Sequence, residues 1–482
     1  KRQAIRSDGE SYTYRELLNT SEQIARNLLN GRADLEEARI AFMVDPGFDY
    51  AAIQWGIWRA GGIAVPLCVK HPYASIKYVM EDTRAEGVVW SEPYEELIQP
   101  LFEEFDVVSI PIDALPEAPA GDLPEVAPRR RAMILYTSGT TGKPKGVVTT
   151  HANIEAQITA LVESWDWSAD DHILNILPLH HVHGIINVMS CALWSGACCS
   201  FMPRFDAHAV LDAFVSDGLN LFMAVPTIYY KLIATWKTLP PERQEVVSQA
   251  LQGFRLMVSG SAALPVSTLE QWRTLSGHTL LERYGMTEMG MAISNPYDGE
   301  RRPGYIGQPL PGVIVRLVDE RNQFVASGTS GEIQVKGPNV FLEYWGRPKA
   351  TTEAFVDGWF RTGDIAVYEK GSYRILGRSS VDIIKSGGYK ISALEIEEVL
   401  RKHPQIKDCG VVGIPDEEWG EIIAASLILR EGDTVPADLE EWLRTCLPGY
   451  KLPRRYLIQE DLPRNVMGKV TKKELQLVFS RQ

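Results

Sequence analysis

Tyr136-Thr137-Ser138-Gly139-Thr140-Thr141-Gly142-Lys143-Pro144-Lys145-Gly146 decides how the rest of the chain is read, and it follows an apolar run at 133–135. Its glycines let backbone approach a ligand closely, its hydroxyls and N–H groups can hold phosphate oxygens, and its lysines neutralise charge. A Walker A loop needs four residues between its glycines and then Lys-Ser/Thr. Here two residues separate Gly139 from Gly142, and Pro144 stands where the magnesium-binding hydroxyl belongs. The loop reads as a phosphate cradle of a different kind.

On the N-terminal side of this loop, helix and strand patterns alternate. Thr13-Tyr14-Arg15-Glu16 reads as a capping box at a helix start. Leu17, Leu18, Ile24, Ala25, Leu28 and Leu29 then recur at helical spacing and define an apolar face. Short apolar runs at 40–44, 87–90 and 107–110 read as buried strands, and strands separated by helices imply parallel sheets. Residues 111–128 carry five prolines and read as a surface connection. Arg129-Arg130-Arg131 is too short for a nucleic-acid patch and reads as a solvated loop edge.

On the C-terminal side, the uncharged stretch 182–203 contains His183, Asn187 and several serines, so a buried helix followed by a strand is expected there rather than a membrane span. Residues 305–376 change character, with short strands at 313–318, 332–335 and 373–376 between Gly, Asp and Pro. After 380 the pattern is mixed again: helix at 393–402, strands at 409–414 and 424–429, helix at 437–447. The fold expected is α/β: a large N-terminal domain, 1–377, of parallel-rich sheets flanked by helices with a β-rich subdomain at about 305–377. A hinge at 378–380 then leads to a small mobile α+β domain, 381–482.

Composition narrows the function classes. At 482 residues the chain is long enough for about three units of roughly 150 residues. Its 45% hydrophobic and 23% charged content is ordinary for a folded protein, which argues against disorder. A net charge of -13 argues against a general nucleic-acid surface but not against a local basic pocket for an anion. Six cysteines without a CxxC pair suit a reducing compartment, and the nine histidines form no zinc pattern.

The phosphate loop resembles the signature of the adenylate-forming superfamily, which includes acyl-CoA synthetases, adenylation domains and luciferases. Further superfamily motifs follow in the same order along nearly the whole chain. Ser259-Gly260-Ser261-Ala262-Ala263-Leu264-Pro265 is similar to the adenine-binding loop, and Tyr284-Gly285-Met286-Thr287-Glu288 to the motif that stacks adenine and binds magnesium. Gly358-Trp359-Phe360-Arg361-Thr362-Gly363-Asp364 resembles the ribose-binding motif, and Gly377-Arg378 the ribose-contacting start of the hinge. Ser386-Gly387-Gly388-Tyr389-Lys390 resembles the thiolation-side loop, and Pro463-Arg464-Asn465-Val466-Met467-Gly468-Lys469 the catalytic-lysine motif.

This resemblance implies ATP, Mg2+ and CoA as substrates and cofactors. It implies ATP binding by Thr137, Ser138, Gly139, Thr140, Thr141, Lys145, Ala262, Ala263, Tyr284, Asp364 and Arg378. It implies catalysis by Lys469, Glu288 and Thr287, with Glu288 on the metal, CoA contacts at Gly387 and Gly388, and rotation about Ser380. The chemistry is consistent with these residue types. A carboxylate is a poor electrophile, so it attacks the α-phosphate of ATP to give an acyl-adenylate, and cations must stabilise the developing charge. Asp364, an acceptor-only side chain, can take both ribose hydroxyls.

The acid to be activated is read from Arg283, directly before Tyr284; in many relatives that slot is small or neutral. A guanidinium beside the acyl pocket suits a substrate that keeps a second carboxylate. The alternative is a structural ion pair with a protein acid such as Glu282. Ser261 and His181 are grouped with Arg283 around the substrate carboxylate, whereas His180 and His183 read as packing residues. Residues 177–184, 282–312 and 377–390 resemble malonyl-CoA synthetases, which implies a small dicarboxylate, malonate first and methylmalonate second. Expected partners are small molecules only, neither nucleic acid nor membrane, with a monomer or dimer in the cytoplasm or, in a eukaryote, an organellar matrix. Competing readings are an adenylation enzyme loading a carrier protein, a luciferase-type oxygenase, and a catalytically silent scaffold.

Overall fold

The computed structural model describes every residue except 1, 118, 120, 138–142, 388, 431, 433, 465–468, 481 and 482. Its strands form four sheets among the described residues. A nine-stranded sheet runs in the order Gln308–Pro309, Gly290–Ser294, Leu281–Met286, Leu256–Ser259, Leu221–Ala224, His172–Asn175, Cys198–Phe201, Gln3–Ser7, Glu10–Thr13. Its interior pairs are parallel, from Leu281–Met286 across to Gln3–Ser7. A seven-stranded sheet has Arg131–Thr137, Ile63–Pro66, Arg39–Met43, Gly87–Trp90 and Val108–Pro111 in parallel, edged by Lys145–Thr150 and Glu343–Tyr344. Strands buried on both faces read as continuous apolar runs, which is why 40–44 and 87–90 were legible.

Between these sheets lies the main core. It includes Ile53 and Ile57 of the helix Phe48–Arg59, which packs against the helix Tyr14–Leu29. That second helix starts at the capping box: Thr13 accepts from the Glu16 N–H, and Glu16 accepts from the Thr13 N–H. Its buried face is Leu17, Ser21, Ile24, Ala25, Leu28 and Leu29. Leu18, read as part of that face, is 49% exposed instead, because position 18 lies a full step around the helix from Leu17. The expected helix-then-strand at 182–203 is the helical His183–Ser190 and Cys191–Ser195, followed by Cys198–Phe201.

Arg130 and Arg131 are not a solvated edge. Arg130 pairs bidentately with Asp34, and Arg131 pairs with Glu37 and Glu343, both half-buried. The β-rich subdomain is an antiparallel sheet of Ile314–Val318, Ser330–Lys336, Trp359–Glu369, Phe355–Val356 and Ser372–Arg378. Beyond it, Tyr389–Ser392, Ile383–Ser386, Gly420–Leu429, Ile406–Asp416 and Arg455–Ile458 form the sheet of a smaller C-terminal domain with its own core of Ile384, Ile396, Leu400, Val411, Leu427 and Leu443. The molecule is mixed α/β, with a large N-terminal and a smaller C-terminal domain. No helix among the described residues is long and apolar enough to cross a membrane.

Candidate active site

The strands on either side of the glycine-rich loop, Arg131–Thr137 and Lys145–Thr150, pair antiparallel. Thr137 pairs with Lys145 at the loop's mouth, and Ser138, Gly139, Thr140 and Thr141 lie outside the described residues. Both stems are pinned: the Tyr136 hydroxyl donates to Asp82 at 2.7 Å, and the Tyr78 hydroxyl donates to the Pro144 carbonyl at 2.8 Å. Lys145 places its ammonium 4.8 Å from the centre of the Tyr344 ring. The Tyr344 hydroxyl in turn donates to Glu288 Oε1 at 2.9 Å. Burial raises the Glu288 carboxyl above the ordinary range, against the Tyr344 hydrogen bond and the Arg378 and Lys145 charges. Thr287 shares the same half-buried turn between Leu281–Met286 and Gly290–Ser294. Tyr344 was not legible as a site residue, since its link to Glu288 spans 56 positions.

Asp364 and Arg378 face each other across the antiparallel pair Trp359–Glu369 and Ser372–Arg378. Arg378 Nε donates to Asp364 Oδ1 at 2.8 Å, and the Tyr284 hydroxyl donates to Asp364 Oδ2 at 2.7 Å. Arg378 also lies within electrostatic reach of Glu288. Lys145, Tyr344, Glu288, Arg378, Asp364 and Tyr284 are therefore one contiguous polar cluster.

At the other end of the strand Leu281–Met286, Glu282 and Arg283 point to opposite faces, as strand neighbours must. They do not pair. Glu282 accepts the Gly304 N–H at 3.2 Å, and burial pushes its carboxyl up to about 8. Arg283 is 4% exposed and reaches only the Ser261 hydroxyl, at 3.4 Å. Its Nε has no partner, and burial alone depresses its pKa to about 9. No carboxylate among the described residues pairs with it. Gly260 makes the room: a Cβ there would lie 2.6 Å from Arg283 Nε.

Ser261 holds a left-handed backbone, φ +69°, and its hydroxyl lies 3.2 Å from His183 Nδ1. His183 is buried, and burial together with the Arg283 charge drives its pKa well down. His183 packs inside as read, and its ring also completes a His183–Ser261–Arg283 corner. A helical run beginning at 183 turns that side chain inward, which adjacency in sequence could not reveal. His181 is half-buried against His180 (ring centres 4.1 Å apart), its pKa lowered by burial to about 4 and its Nε2 without a partner. Ala262 and Ala263 follow Ser261 in the bend before the helix Val266–Ser276.

Ser380 is exposed, two residues after Arg378. Gly387 has φ +54° at the tip of the hairpin Ile383–Ser386 and Tyr389–Ser392, with the Trp419 ring where its Cβ would be. Gly388 lies outside the described residues, as do 465–468, which precede Lys469. Lys469 lies close enough for its charge to act on Asp382. Lys390, beside the Gly387 tip, reaches across to Glu320 at 2.7 Å.

Residues 1–345 match the family model "AMP-binding enzyme", and residues 395–469 match "AMP-binding enzyme C-terminal domain". The mitochondrial malonate–CoA ligase of Mus musculus is 46% identical over 96% of this chain and 86% of that protein. The crystal structure of ATP-bound MatB from Rhodopseudomonas palustris is 32% identical and superposes with a TM-score of 0.91, over 99% of this chain and 96% of that one. A malonyl-CoA ligase ternary product complex with methylmalonyl-CoA and AMP bound is 35% identical over 96% of this chain and 97% of that one, yet its TM-score is 0.69. Matches over both the large and the small domain, at nearly full length, make this chain a member of the AMP-binding enzyme family.

Proposed function

We propose that this protein is an AMP-forming acid–CoA ligase whose preferred acid is malonate. The observation that carries the choice of acid is Arg283, a buried guanidinium with no carboxylate paired to it among the described residues. One carboxylate of malonate pairs with Arg283 beside Ser261, His183 and His181. The other is left to attack the α-phosphate of ATP. The new bond joins a carboxylate oxygen to that phosphorus, the bond to the bridging β-phosphate oxygen breaks, and pyrophosphate leaves. In the second step the CoA sulfur attacks the acyl carbonyl, AMP leaves, and the thiol proton passes to solvent. The names of the mouse relative and of the malonyl-CoA ligase product complex support this reading.

The residues divide the work as follows. Ser138, Gly139, Thr140 and Thr141 cradle the phosphates between Thr137 and Lys145. Asp364 and Arg378 take the ribose, and Tyr284, Ala262 and Ala263 line the adenine. Glu288 and Thr287 offer oxygen atoms only, the donor set a hard cation prefers, and a buried carboxylate of raised pKa fits a cation beside it. Magnesium bound there would supply charge stabilisation at the phosphates. Lys469 adds its charge to the α-phosphate during adenylation, worth roughly 3–4 kcal/mol by analogy with an oxyanion donor.

Residues 1–377 form the large domain, and 381–482 rotate about Ser380 to bring Gly387 and Gly388 to the pantetheine arm. The lower superposition on the product-bound relative than on the ATP-bound one, at similar identity, supports such a rotation. A matrix or cytoplasmic compartment suits this chemistry, and the mitochondrial mouse relative favours the former. Methylmalonate is the nearest competitor, because one methyl group is worth only about 1–3 kcal/mol.

The test is kcat/KM for CoA-thioester formation with malonate, methylmalonate, succinate, acetate and butyrate. Malonate is expected to lead and acetate to trail, since acetate leaves Arg283 desolvated and unpaired. Preference for a monocarboxylate would keep the ligase and sink the dicarboxylate. Turnover with a holo-carrier protein but not with free CoA would reassign the acceptor.

A further inference from the structure

Within the small domain, a chain of ion pairs, buried at Lys472 and Glu397 and part-exposed at Asp408 and Arg464, runs from the hinge to the stems on either side of Lys469. Asp382 is knitted to the hinge backbone: its carboxylate accepts the Arg378 N–H at 3.0 Å, and its own N–H donates to the Arg378 carbonyl at 2.8 Å. A Cβ on Gly377 would overlap Asp382, so this approach needs a glycine, and Gly377 has φ +130°. The other carboxylate oxygen of Asp382 lies 3.8 Å from Lys472 Nζ.

Lys472 is buried, pairs with Glu397, and donates to the Val411 carbonyl at 2.6 Å. Glu397 also accepts the Val411 N–H at 2.8 Å and lies 3.5 Å from Arg401. Arg401 donates to Asp408 at 3.0 Å, and Asp408 pairs with Arg464. Arg464 bridges to Val470, and the Thr471 N–H donates to the Pro463 carbonyl at 2.8 Å. The stems flanking Lys469 are thus paired to each other, and each has an ionic anchor, Arg464 on one and Lys472 on the other.

Such an arrangement is poor economy if stability is its purpose. Buried ion pairs contribute little net stability over apolar side chains of similar volume. A lysine buried at the root of a catalytic loop, tied to a carboxylate whose backbone partner is the hinge, fixes position instead. We infer that Asp382 and Lys472 are positioning residues for adenylation, holding the Lys469 loop in register with the hinge at Arg378. Rotation about Ser380 must break the reciprocal Asp382–Arg378 backbone pair, so the strut is intact in one arrangement of the hinge and released in the other. The inference rests on the ligase reading above. The charges of Lys472 and Lys469 both act on the Asp382 carboxylate, which accords with it.

The test separates the half-reactions. Adenylation is read as malonate-dependent exchange of pyrophosphate into ATP, and thioester formation from synthetic malonyl-AMP and CoA. Asp382→Asn keeps an acceptor for the Arg378 N–H but drops the charge facing the lysines. Lys472→Met combined with Glu397→Gln removes both members of the buried pair, leaving Arg401 to Asp408. Both variants should lose about 10- to 100-fold in exchange and stay within about twofold in thioester formation, since a small misplacement of a reacting group costs up to that much. Lys472→Arg should recover part of the exchange rate. Equal losses in both half-reactions, or no loss in either, would overturn the inference. Wild-type protein that forms thioester from malonyl-AMP but shows no exchange with malonate would overturn the ligase reading first, before any variant is made.

Discussion

At the nucleotide end of the site, Asp364 has two protein partners before any ligand arrives, Tyr284 and Arg378. At the acyl end, Arg283, the very next residue to Tyr284, has one long contact with Ser261 and an Nε with none. On the proposed reading, the nucleotide end is organised by the protein's own opposite charges, and ATP would meet a finished surface. The acyl end keeps a desolvated cation beside buried histidines, and a substrate carboxylate would supply the partner it lacks among the described residues. Binding energy at the first end would then be general to any adenylate, and at the second a choice among acids.

Removing the cation should break this contrast most severely. Arg283→Ala is expected to cost malonate about 3–5 kcal/mol, or about two to nearly four orders of magnitude in kcat/KM, because the distal carboxylate is then buried alone. Acetate turnover should hold or rise. Unchanged malonate and acetate values would mean that Arg283 does not face the acid. In the unaltered protein the same cation gives a pH signature. Arg283 is charged below about 9, so malonate kcat/KM should decline above that pH, while acetate kcat/KM should not decline with it.

A change at the nucleotide end should be smaller and blind to the acid. Asp364→Asn replaces an acceptor for Arg378 and Tyr284 with a neutral amide, and hydrogen bonds to charged groups are worth about 1.5–3 kcal/mol. The KM for ATP should rise about 10- to 100-fold with every acid in the panel. A rise confined to malonate would erase the distinction between the two ends.

The smallest effect concerns stability. The Glu282 carboxyl is pushed by burial up to about 8 in the folded chain, above its ordinary value, so the unfolded chain gives up this proton first. Stability from this group is fully present below the ordinary carboxylate pKa and is lost as pH rises to about 8. Glu282→Gln keeps an acceptor for the Gly304 N–H and should raise the melting temperature at pH 8 but hardly at pH 5. Equal shifts at both pH values would show that the carboxyl is not held neutral.

Much of this was legible along the chain, for identifiable reasons. Buried parallel strands at 40–44 and 87–90 announce themselves as apolar runs, and the Thr13–Glu16 box marks a helix start to the residue. Motif order singled out Asp364 and Arg378, which the structure brings together with Tyr284. The strand Trp359–Glu369 went unread as a strand because the polar run 361–364 interrupts its apolar alternation. Tyr344 went unread and His183 was read for packing alone, because their polar contacts lie far along the chain: Glu288 for the first, Ser261 for the second. For Arg283, sequence posed the alternative of a Glu282 partner, and only the strand geometry separates the two side chains.

The bare backbone at Gly260, directly beneath the Arg283 guanidinium, sets the order in which this pocket can change its acid over evolutionary time. While arginine occupies position 283, a Cβ at 260 would lie within 2.6 Å of its guanidinium, so a larger residue there must displace that side chain. Shortening position 283 would open the space above Gly260 to side chains that fill the pocket for longer, uncharged acids. On the proposed reading, a change from a diacid to a monoacid is therefore easier with Arg283 replaced first and Gly260 second.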